Sequence, residues 1–196
     1  MPEPADDPDV CRDDRSRSRR FETDDAGEFI WENISKLADQ DLSDPAHFEA
    51  IAEQLDLIDF IDYCLIYFYA GGEDWALVNG NNMRAYCRND NHSKLKFQLW
   101  DADSSFASGW KNETVDYPLP MEKSGNPGSF VNLFRQLMKS DQFRQLFASR
   151  VEKWCTDGGV LSPTACKQRY KTLLNTVEPA LIAESARWGD IHTAEA

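Results

Sequence analysis

Three polar clusters in the middle of the chain carry residue types suited to chemistry on phosphate. Asp74 sits in the loop GGEDWALVNGNN, Asn79, Asn81 and Asn82 close that loop, and Asp101-Ala102-Asp103 follows directly on the apolar stretch KLKFQLW. Carboxylate and amide oxygens are hard donors. An Asp, an Asn and a second Asp converging on one point could hold a magnesium ion against a phosphorylated substrate. If they do not converge, the bland readings stand: Asp74 beside Trp75 caps a turn, and Asp101 with Asp103 forms a solvated pair after a strand. Glycoside hydrolysis needs two carboxylates flanking a sugar bond, and positions i and i+2 on one strand are poorly placed for that.

Convergence depends on the elements around these residues. Leu55 to Tyr69 (LDLIDFIDYCLIYFY) is mostly apolar and loses its polar face after Asp62, which predicts a buried central helix. Its aromatic run of Tyr63, Tyr67, Phe68 and Tyr69 reads as core packing, and Gly71-Gly72 ends it. The period then changes to two. Asn82–Arg88 and Lys94–Trp100 are expected to be strands joined through Asn89-Asp90-Asn91, with Leu95, Phe97 and Leu99 on the buried face. A hairpin brings its ends together, so Asn82 and Asp101 should be neighbours, with Asp74 on the preceding loop.

The rest of the pattern is helical. Ala26–Ala38, a segment opened by Ser43-Asp44-Pro45, two segments after Ser129 and Ser140-Asp141, and a long stretch from Ser162-Pro163 to about Gly189, kinked before Pro179, all follow the 3.6-residue period. Residues 104–128 read as a long loop. The expected fold class is mainly α with a small β-hairpin.

Composition narrows the partners. With 34 acidic against 21 basic residues and a net charge of -13, the chain lacks the lysines and arginines that a nucleic-acid backbone or an anionic lipid surface would require. No run of about 18 apolar residues is present to span a membrane. The first 20 residues contain no apolar core of a secretory signal. Five widely spaced cysteines (Cys11, Cys64, Cys87, Cys155, Cys166) suggest reduced packing thiols rather than a disulfide framework, and Cys87 with His92 is a poor basis for a metal site. Residues 1–25, acidic, Arg-rich and poor in apolar side chains, are expected to form a disordered tail, with 26–191 as the folded part and 192–196 as a second tail.

The order of buried helix, loop with Asp then Asn, hairpin, and Asp follows the logic of a protein-kinase catalytic loop. Asp74 and Asn79 meet the Asp-x-x-x-x-Asn spacing. More of the chain points the same way. DLIDFIDYCLIYFYAGGEDW, NNMRAYCR, KFQLWDADSSF, LFRQLMKSDQFRQLFASR and ESARWGD, in that order, resemble the spore-coat protein H (CotH) kinase family over about Phe29 to Ile191.

That resemblance implies an atypical protein kinase, secreted or coat-associated, using Mg²⁺ and ATP on a protein Ser or Thr hydroxyl. It implies a kinase-like carboxyl-terminal lobe for 26–191. It gives Asp74 the role of catalytic base and Asn82 that of metal-side asparagine, with Asn79 its rival by spacing. Asp101 takes the metal-binding role, and Asp103 is a possible second ligand.

One expected part is missing. The family's nucleotide-gripping lysine lies on a strand, whereas here the only lysine before Lys94 is Lys36, in a helical pattern, and no Gly-rich loop is present. Lys94 and Lys96, in the strand before Asp101, are poor substitutes. Two readings follow: a truncated carboxyl-terminal portion of such a kinase, weak or inactive alone, or a catalytically dead lobe serving as a binding module or left as a gene fragment.

Overall fold

The computed structural model describes residues 10–12, 25–72, 82–88, 93–102, 105–106 and 130–189. The chain divides into two compact units, Met1–Arg150 and Val151–Ala196. Among the described residues the fold is mainly helical with a small antiparallel sheet.

In the first unit, helix α1 (Asp25–Ala38) buries Ile34 and Ala38. Helix α2 (Pro45–Ala52) starts as its Ser-Asp-Pro signal predicts: the Asp44 side chain accepts from the Ala46 amide and Pro45 occupies the first turn. Helix α3 (Leu57–Ala70) is capped at both ends. Asp56 accepts from the Asp59 amide at 3.1 Å, and Gly71 closes the helix with a left-handed φ of 62°. A residue with a Cβ is strained in that conformation, which explains the glycine.

Phe60, Ile61, Tyr63, Cys64, Leu65 and Tyr67 of α3 are buried, so it is a core helix as expected. It is not buried all round, however. Ile58, Ile66 and Tyr69 are exposed, which removes Tyr69 from the core assignment.

Strands β1 (Val10–Arg12), β2 (Arg84–Arg88) and β3 (Lys96–Gln98) form an antiparallel sheet in the order β1-β2-β3. The predicted hairpin is therefore present as β2 and β3, in the register Arg84↔Gln98, Ala85↔Phe97 and Tyr86↔Lys96. Ala85, Cys87 and Phe97 point inward, while the buried alternation stops before Leu99, which is exposed. Leu95 ties the hairpin to the start of α3. Its amide donates to the Gln54 carbonyl at 2.8 Å and its carbonyl accepts from the Asp56 amide at 3.0 Å. One turn further on, the Asp59 carboxylate accepts from the Phe97 amide at 2.7 Å, and burial pushes that carboxyl up from its ordinary range.

Two features of the sheet depart from expectation. Three residues of the segment read as a tail, Val10–Arg12, pair with β2. Cys87 is disulfide-bonded, with Cys11 opposite it in the register, so the reading of reduced packing thiols does not hold there. Cys64, Cys155 and Cys166 are free thiols.

Helix α4 (Phe130–Leu137) packs against α1, where Asn132 donates to the Asp39 carboxylate at 3.1 Å. Helix α5 (Asp141–Cys155) brings Phe143 into the core. Helix α6 (Pro163–Trp188) opens on its predicted cap, Ser162, and runs through Pro179 with no buried residue.

The core has a pH signature. Burial holds both the Cys64 thiol and the Tyr63 phenol in their protonated forms, well above their ordinary values of 9.0 and 10.0. The folded chain therefore keeps protons that the unfolded chain releases. This contribution to stability is complete below about pH 9 and is lost as pH rises, by up to about 1.4 kcal/mol per pH unit for each group. Urea melts between about pH 8 and 11 should show the decline, with a shallower slope for Tyr63→Phe; a level profile would contradict it.

Candidate functional site

The site is built on the last turn of α3. The Tyr67 ring is buried, and its hydroxyl donates to the Trp100 carbonyl at 2.9 Å. Three residues along α3, the Ala70 carbonyl accepts from the Phe106 amide at 2.6 Å. These two bonds clasp the segment containing Asp101 to the core helix. Within that segment, Ser105 Oγ donates to the Ala102 carbonyl at 2.8 Å. Asp101 is exposed between the two fastenings.

Asn82 stands half-buried at the entry to β2, two residues before Arg84. Arg84 pairs with Gln98, and its guanidinium carbon lies 3.2 Å from the centre of the Trp100 ring. That cation–π contact fastens the outgoing end of the hairpin to the returning end. By the register of β2 and β3, Asn82 and Asp101 flank the same end of the hairpin.

Three non-glycine residues among those described have positive φ: Asn82 at 51°, Asp101 at 51° and Phe106 at 57°. All three flank the clasp. Asn and Asp tolerate the left-handed region better than other side chains. Backbone held in sparsely populated conformations persists only where its surroundings enforce it, and such positions cluster at functional sites.

Asn82 and Asp101 supply oxygen donors of the kind Mg²⁺ prefers. Asp74, Asn79 and Asp103 lie outside the described residues. Among the described residues, no group of three or more His, Cys, Asp or Glu side chains is close enough to hold a metal ion.

Lys96 lies on a strand and has an acidic partner, as a phosphate-gripping lysine would. Its ammonium, however, is 3.3 Å from Asp56 at the start of α3, and the hydrogen bond and charge of that carboxylate hold it above its ordinary range. Lys96 opens β3, whereas Asp101 lies three residues beyond the end of that strand. Lys36 pairs with Glu32 on α1. Sequence reasoning missed Tyr67, Arg84 and Trp100 as positioning residues. Tyr67 carried a signal, since a buried tyrosine needs a partner for its hydroxyl.

The model of the CotH kinase protein family matches residues 4–196. The chain belongs to the CotH kinase family. The motifs that first suggested it span α3, the hairpin, α4, α5 and the end of α6, so the family pattern runs through both compact units. Membership suggests an atypical kinase, with the use of Mg²⁺ and ATP and a protein substrate that kinases in general imply. No curated protein and no solved structure matches the chain. No helix among the described residues is long and apolar enough to cross a membrane.

Proposed function

We propose that this chain is the metal-side, carboxyl-terminal lobe of a CotH-type atypical protein kinase, transferring the γ-phosphoryl group of ATP to a protein Ser or Thr hydroxyl. The observation that carries this reading is the left-handed backbone of both Asn82 and Asp101, which flank the same end of the β2–β3 hairpin. Asp101, with Asp103 as a possible second ligand, and Asn82, with Asn79 as its rival, would hold Mg²⁺. A bound Mg²⁺ would neutralise charge on the ATP phosphates. Asp74 would accept the proton of the attacking hydroxyl.

In this chemistry the protein contributes mainly position and charge. The clasp on α3 supplies position to Asp101. Lys96 is engaged by Asp56, and Lys36 by Glu32. That pairing favours low turnover for these residues alone. It also supports the second reading, a dead lobe retained as a binding module.

Labelled-phosphate transfer to a generic protein substrate distinguishes the two. We expect Mg²⁺-dependent incorporation below the roughly 1–100 s⁻¹ typical of kinases, lost in both Asp74→Ala and Asp101→Ala. Incorporation that survives Asp101→Ala would sink the metal assignment. No incorporation, together with no shift in melting temperature on adding Mg²⁺ and ATP, would establish the second reading.

A further inference from the structure

Helix α6 contains a seam that the proposed chemistry does not use. Starting at Lys167 and stepping alternately by three and four residues, the chain reads Lys167, Tyr170, Leu174, Val177, Leu181, Glu184 and Trp188. This is the a/d spacing of a coiled coil, apolar at five of seven positions. The five apolar side chains are all exposed, from 36% at Leu174 to 66% at Tyr170. Pro179, which costs a helix one hydrogen bond, falls at the heptad position farthest from the seam, where it leaves the apolar stripe unbroken.

The two polar seam positions state which partner fits. In a parallel pair of identical helices, Lys167 would meet Lys167 and Glu184 would meet Glu184. In an antiparallel pair, Lys167 of one copy falls opposite Glu184 of the other. The same register sets Tyr170 opposite Leu181 and Leu174 opposite Val177, each twice through the two-fold axis. The flanking positions agree: Lys171 faces Glu178, and Leu173, itself exposed, faces Ala180. The basic first half of α6 (Lys167, Arg169, Lys171) thus lies along the second half of its counterpart, where Glu178 and Glu184 outnumber Arg187.

We infer that α6 is a homodimerisation helix, pairing antiparallel with α6 of a second copy of this chain. The interface is isologous, so each seam residue serves both copies. A single helix pair about 39 Å long lies toward the small end of stable interfaces, so weak association, detectable at micromolar concentration, is the expected result.

Sedimentation equilibrium on the full chain, from about 1 to 200 µM, reads the dimer directly. Dimer mass should appear within that range, and Leu174→Asp should abolish it. Lys167→Glu alone should weaken association about tenfold or more, because it makes two like-charged layers in each dimer. Glu184→Lys alone should do the same. The double swap Lys167→Glu with Glu184→Lys should return the dissociation constant to within about threefold of the original, since the pairing is then reversed but complete. These positions are exposed, so each variant is compared at unchanged helical circular dichroism. A monomer throughout the range, single swaps without effect, or a double swap that fails to restore association would each overturn the inference.

Discussion

Phe60→Ala should cost about 3–5 kcal/mol of stability, the range for an aromatic ring removed from a packed core. Phe60 is fully buried on α3, and its ring centre lies 5.5 Å from that of Phe97, 5.1 Å from Phe130, 6.4 Å from Phe134 and 6.3 Å from Phe143. One ring thus joins the hairpin, α4 and α5 to the central helix. Truncating it opens a cavity lined by four other rings, none of which can close the gap without giving up contacts with its own neighbours, such as Phe97 with Phe130. Domains of this size hold about 5–15 kcal/mol in all, so the loss is a large fraction of the total. Urea melts of Phe60→Ala and Phe60→Leu provide the measurement, the leucine costing roughly a third as much. A loss under about 1.5 kcal/mol for the alanine would show that Phe60 is not the hub the ring geometry describes.

The second large effect is expected at Arg150. Its Nε donates to Asp62 Oδ1 at 2.8 Å and its Nη2 donates to the other carboxylate oxygen, making a two-pronged ion pair between α5 and α3. The guanidinium side chain is 13% exposed and the carboxylate 29%. Breaking a fully buried pair costs about 3–5 kcal/mol because one charge is left stranded. Partial exposure lets water screen Asp62, which lowers the expected cost of Arg150→Met to about 2 kcal/mol. Asp62→Asn should cost less, since the amide can still accept one hydrogen bond. The double variant should recover part of the loss, with a coupling energy of about 1–2 kcal/mol from the four-corner cycle. Additive single effects would mean that the pair is ornamental and that packing of the Arg150 stem carries the stability.

These two sites differ in how legible they were from the sequence. Phe60 belongs to an apolar run whose length, acidic cap and terminal glycines announce a core helix, because the forces that make such a helix are local. The partnership of Asp62 with Arg150 links residues 88 apart, and no periodicity encodes which charge on one helix will meet which on another. The same contrast holds at the candidate site. Asn82 and Asp101 can be assigned to one end of the hairpin because a hairpin closes over a short distance. The Tyr67 hydroxyl was read only as core because the carbonyl that receives it lies 33 residues away. Val10–Arg12 reads as tail because the residues around it are mostly acidic, Arg and Pro, while its place in the sheet comes from pairing with a strand more than seventy residues on. Leu99 followed the strand alternation on paper but lies past Gln98, where β3 ends and the buried face ends with it.

The fastening of Trp100 and Phe106 to α3 bears on how this molecule would respond to a ligand. A loop hinged on a surface element can open and close while the body stays folded, and a ligand held there stabilises only the loop. Here the Trp100 carbonyl and the Phe106 amide are fastened to Tyr67 and Ala70, on the helix whose rings hold the core together. Freeing Asp101 means loosening the end of that helix. Any ion or nucleotide gripped at Asp101 would therefore act as a ligand of the folded state as a whole, and its binding energy would be spread over the cooperative unfolding of the first unit.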